Sequence, residues 1–63
     1  MSNAIHPYYV VMTNDKHGPF WNLSDAVEAA KAAEAVGRLV TKIEQRGDTI
    51  LDGDVLKHAI AEI

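Results

Sequence analysis

The chain has 63 residues, with nine acidic against six basic side chains for a net charge of −3, and no cysteine. A chain this short makes one domain, residues 1–63, that buries only about 60% of the surface its unfolded form exposes, and without cysteine neither a disulfide nor a thiolate zinc site can supplement the core. The acidic balance supplies no basic field for a phosphate backbone, so direct nucleic-acid binding is not expected.

Ile5 to Thr13 is the first predicted strand, rich in β-branched and aromatic residues, with Pro7 confining its start to an edge. Asn14 to Gly18 reads as a turn, and Gly18-Pro19-Phe20-Trp21 as a short strand folding back on the first. A helix is expected from Asn22, whose side chain can accept from the free amides of the first turn with Asp25 in a capping-box relation. Leu23 to Val36 is dominated by alanine, the best helix former, and Gly37 follows as a left-handed stop.

Arg38 to Gln45 returns to β chemistry. Strict alternation there places Leu39, Thr41 and Ile43 on one face and Val40, Lys42 and Glu44 on the other. Arg46-Gly47-Asp48 reads as a hairpin turn into the strand Thr49-Ile50-Leu51. Asp52 or Asp54 then caps a closing helix, Val55 to Glu62, with Val55, Leu56, Ala59, Ile60 and Ile63 as its apolar stripe. The sequence shows no internal repeat. The order β-β-α-β-β-α predicts a small α+β fold, an antiparallel sheet covered by an alanine-rich helix and a short C-terminal helix.

The first strand is apolar on both sides: Ile5, Tyr9 and Val11 at odd positions, Tyr8, Val10 and Met12 at even ones. A strand open to water on one face alternates apolar with polar, so this one is expected to be covered twice. The alanine helix covers one face; the C-terminal helix, a second copy or a partner covers the other.

Sites of catalysis and metal binding find little to rest on. His6, His17 and His58 lie in three different elements with no i, i+4 pair among them, and a metal would need Asp15, Asp52 or Asp54 to complete a ligand set. Asp48, Asp52 and Asp54 lack calcium-loop spacing and the closing glutamate, and helix capping explains them better. Ser2 and Ser24 are poorly placed for nucleophilic chemistry, and Arg46-Gly47-Asp48 is a turn before it is an adhesion motif. No catalytic residue, cofactor or metal is expected, and the chain is read as non-enzymatic. No apolar run reaches the ~20 residues that span a bilayer, and Met1-Ser2-Asn3-Ala4 lacks the features of a secretion leader, so the expected compartment is the cytoplasm and no membrane partner is expected.

The aromatic residues Tyr8, Tyr9, Phe20 and Trp21 all fall in the first predicted hairpin. Tyrosine and tryptophan supply large, stiff contact area at interfaces. An outward patch of Tyr8, Val10, Met12, Phe20 and Trp21 is therefore the expected partner-binding surface, serving a protein partner or a homo-oligomer. The stretch Tyr8 to Glu44 (YYVVMTNDKHGPFWNLSDAVEAAKAAEAVGRLVTKIE) has an aromatic strand, a glycine-containing turn, a Leu-x-x-Ala helix start and a second strand. In size and layout it resembles small phage proteins that inhibit host RNA polymerase and some anti-CRISPR proteins. The resemblance implies an inhibitor or accessory protein of phage or prophage type, docking on a larger host protein, and it carries over no functional residue.

Overall fold

The computed structural model describes residues 6–63; Ile5 lies outside the described residues, His6 and Pro7 precede the first strand, and that strand is shorter than the expected Ile5 to Thr13. The elements are β1 (Tyr8–Met12), β2 (Asp15–Phe20), α1 (Leu23–Ala35), β3 (Val40–Gln45), β4 (Asp48–Asp52) and α2 (Gly53–Ala61). They form the expected α+β fold: one antiparallel sheet in the order β2-β1-β3-β4. The chain runs strand-strand-helix twice, a repetition of architecture without a repetition of sequence.

The second strand starts earlier than the turn-forming residues suggest. Met12 pairs with Asp15, Val11 with Lys16 and Val10 with His17, so the turn shrinks to Thr13-Asn14 and the polar run becomes an exposed edge strand. Ladder pairing with β1 outweighs the local turn preference of Asn14 to Gly18. Proline is tolerated at a sheet edge, where its missing N–H costs no ladder bond, and Pro19 sits at the register shift opposite Tyr9. Trp21 falls just past the strand.

Helix α1 starts and stops close to where its sequence predicts. Asn22 occupies the N-cap position, but its Nδ2 donates to Asp25 Oδ2 at 3.3 Å rather than its oxygen accepting a backbone amide. At the far end Gly37 N–H donates to Glu34 O and Arg38 N–H to Ala33 O, both at 3.0 Å, with Gly37 at φ +88°. That pair of bonds is the Schellman closure, which needs a left-handed residue at the position Gly37 holds. The buried face of the helix is Ala26, Val27, Ala30 and Ala33; small side chains let it lie close to the sheet.

Strict alternation fails in β3. Met12 pairs with Val40 and Val11 with Lys42, so Thr41 is the extra residue of a bulge and its Oγ1 donates to Val11 O at 2.9 Å. The bulge moves Val40 onto the core side with Ile43 and leaves Leu39 in the link, 69% exposed. The β3–β4 hairpin turns on Arg46 and Gly47, at φ +57° and +81°. Two successive positive φ values match the twist of the flanking strands, and glycine accepts the second at no steric cost. Strand β4 exceeds its predicted length by one residue at each end, and α2 follows it with Asp52 as N-cap.

Both helices lie on the same face of the sheet and touch one another. Val10, Met12, Val40 and Ile43 from the sheet meet Ala26, Val27, Ala30 and Ala33 of α1 and Leu56 of α2 in a single core. Of the three expected covers for the second face (the C-terminal helix, a second copy or a partner), the C-terminal helix is therefore not the one. Leu56, Ala59 and Ile60, spaced i, i+3, i+4, deepen the core already roofed by α1, while Val55 stands off that stripe at 60% exposed. No helix among the described residues is long and apolar enough to cross a membrane.

Because Ala30 is fully buried against the sheet, Ala30→Leu is expected to destabilise by ~1–3 kcal/mol through overpacking. Val55→Ala should stay within ~0.5 kcal/mol of the parent. Urea unfolding of the two variants checks both.

Candidate interaction surface

The expected outward patch does not form. Val10 is 0% and Met12 6% exposed, both beneath the helices, and Tyr8 and Phe20 are half-buried and pack against the same core. The reason is parity: even positions of β1 face the helices, and Tyr8 pairs directly with Phe20 on that side. Of the five residues, Trp21 alone is largely exposed, at 56%. The residues of β1 that face away from the helices are the odd ones, Tyr9 and Val11, apolar as their sequence shows and outside the expected patch.

Around them the helix-free face is built in rows. Lys16, Val11, Lys42 and Asp52 stand side by side across the four strands. In the next row Tyr9 pairs with Glu44 and Glu44 with Thr49. Tyr9 lies against the backbone at Gly18: a Cβ added there would overlap Tyr9 Cδ1 and come within 2.8 Å of Cε1. Lys16 Nζ sits 5.5 Å from the Tyr9 ring centroid, within cation–π reach.

Glu44 holds the centre of this face. Its carboxylate bonds Lys16 and lies 3.7 Å from Lys42 Nζ, and the residue is only 8% exposed. The hydrogen bond from Lys16 is the main cause that holds its carboxyl below the ordinary value; partial desolvation opposes this, and the charges of Lys16 and Lys42 add to it. The aliphatic stems of the two lysines flank Val11, while their ammonium groups converge on Glu44.

Elsewhere the polar residues form local pairs. His17 Nε2 lies 3.4 Å from Asp15 Oδ2, and Arg38 Nη1 stands 3.4 Å from His17 Nε2 and 3.7 Å from the same Asp15 oxygen. A guanidinium inside this cluster sets a positive charge against any cation that His17 and Asp15 would share. His58 pairs with Glu62 one turn on, at 2.9 Å, and no group of three or more candidate metal ligands occurs among the described residues. The surface depressions are shallow, about 200 Å³ beside Arg38 and Leu39 and about 370 Å³ along the outer edge at Lys16 to Phe20. Enclosed ligand sites run to roughly 300–1,000 Å³; these two are open to solvent. No family model matches the sequence, and no curated protein or solved structure is significantly similar to it.

Gly18→Ala should destabilise by ~1–3 kcal/mol, because the Tyr9 ring must move off the strand edge to admit the methyl group; thermal unfolding measures it. The lowered pKa of Glu44 fixes the sign of a pH effect. Its contribution to stability is present above the ordinary glutamate value and is lost as pH falls below that value and through the depressed one. The stability difference between the parent and Glu44→Gln should therefore be constant near neutrality and shrink on acidification, as read by urea unfolding from neutral to strongly acid pH.

Proposed function

We propose that the chain is a non-enzymatic protein-interaction module that docks through the helix-free face of its sheet. One observation carries this reading: β1 is apolar on both sides, while both helices lie on one. The side of Val10 and Met12 is satisfied by the core; the side of Tyr9 and Val11 carries neither helix, and both residues stay half-buried among the side chains of their own face. In a two-layer fold an exposed sheet face is ordinarily polar at alternate positions. Here the central strand spends two of its five positions on Tyr9 and Val11 facing outward.

Tyr9 suits a contact role, being large, stiff and already oriented by Gly18 and Lys16. The charges around it form a rim rather than a uniform field, which favours a protein surface of mixed charge. The phage-type resemblance carries over no functional residue, so the proposal concerns docking and leaves regulation aside.

Val11→Lys is expected to abolish association, whether seen as self-association in concentrated solution or as capture of a partner from cell extract, with the fold retained at a somewhat lower melting temperature because the new ammonium stands between Lys16 and Lys42. Lys57→Ala, on exposed α2, should leave it intact. Association that persists undiminished in Val11→Lys would show that the docking surface lies elsewhere.

A further inference from the structure

The row of side chains across the helix-free face has a property beyond exposure: it is complementary to its own reversal. From β2 to β4 it reads Lys16, Val11, Lys42, Asp52, with a basic residue on one outer strand and an acidic one on the other; Lys16 Nζ bonds Glu44 within its own chain, so its contact with a second copy exchanges one carboxylate for another. A two-fold axis parallel to the strands, passing between β1 and β3, turns a second sheet face-down onto the first and reverses the strand order. Lys16 then meets Asp52 of the second copy, Val11 meets the stem of Lys42, and both contacts occur twice. In the neighbouring row the same operation sets the Tyr9 hydroxyl toward Glu44 of the other copy.

We propose that the occupant of the helix-free face is a second copy of this chain, stacked sheet on sheet with Lys16 against Asp52. This rests on the docking role proposed for that face and names its partner. Aligned packing of two twisted sheets within about 30° is a standard arrangement, and an isologous interface requires this kind of self-complementarity. Asp52 is exposed and enters no ion pair among the described residues. Four strands about 4.8 Å apart and five residues of about 3.3 Å rise give a footprint of ~320 Å². Stable interfaces bury about 800 Å² per partner. The dimer is accordingly a weak one, whose population depends on concentration.

The same symmetry supplies the test. Lys16→Asp places two carboxylates at each edge contact of its homodimer, and Asp52→Lys places two ammonium groups there. An equimolar mixture of the two variants restores opposite charges at both contacts. Sedimentation velocity from low micromolar to near-millimolar protein should show a dimerising parent, each variant alone weakened tenfold or more, and recovery in the mixture. Carbodiimide coupling of the parent, isotope-labelled and unlabelled chains mixed, provides a readout that needs no variant. The backbones of Lys16 and Asp52 of one chain are about 14 Å apart across the sheet, and a zero-length Lys16–Asp52 crosslink that joins a labelled to an unlabelled chain identifies two copies. A parent that stays monomeric throughout overturns the proposal; capture of another protein that is still lost in Val11→Lys would then leave the docking role standing with a different occupant. Dimerisation that neither variant weakens, or weakening that the mixture does not reverse, overturns it as well.

Discussion

Val10 and Ile43 are direct partners across the β1–β3 ladder, and both are wholly excluded from solvent. They are the largest side chains among the described residues to be so, and they sit where two local halves meet. Each half, strand-strand-helix, can form its hairpin from neighbouring residues; neither can bury its apolar strand alone. Joining β1 to β3 closes the sheet and gives both helices a common floor. Truncating a fully buried aliphatic side chain of this kind removes both its transfer free energy and the packing around it. In so small a core there is little else to compensate.

That arrangement also decides which part of the chain is left to meet other molecules. With α1 and α2 sharing one face, the alanine helix can approach closely and Leu56 fills the space beside it. The cost is a second face whose centre is Tyr9 and Val11. Its charges are organised around Glu44, which draws Lys16 across β1 from β2 and holds Lys42 of its own strand. The lysine stems thereby flank Val11 on both sides.

The order of elements was legible because each carries its own punctuation: Gly37 closes α1, Arg46-Gly47 makes the hairpin, Asp52 opens α2. The two-sided strand was legible as well. What the sequence could not show is register. The bulge at Thr41 sent Val40 inward and Leu39 outward, against the simple alternation that fits RLVTKIEQ. In β2, pairing with β1 overrode turn-forming residues from Asn14 to Gly18. The outward set differs from the expected one for a related reason: parity separates Tyr9 and Val11 from Tyr8, Val10 and Met12, but only the position of the helices says which set is inside. Nothing in the α2 sequence distinguishes packing beside α1 from packing beneath the sheet.

All three ladders of the sheet carry a register irregularity, between Tyr8 and Val10, between Val11 and Met12, and between Ile43 and Glu44. Bulges bend a strand and sharpen its local twist. Amyloid spines require the opposite: flat strands, regularly spaced, stacked in register along a fibre. Both outer strands here are unsuited to seeding one, since β2 contains Gly18-Pro19 and β4 is interrupted at Ile50 and bounded by Asp48 and Asp52. The irregularities that make the strands hard to register by eye therefore also keep a short, β-rich chain with open edges from templating its own aggregation.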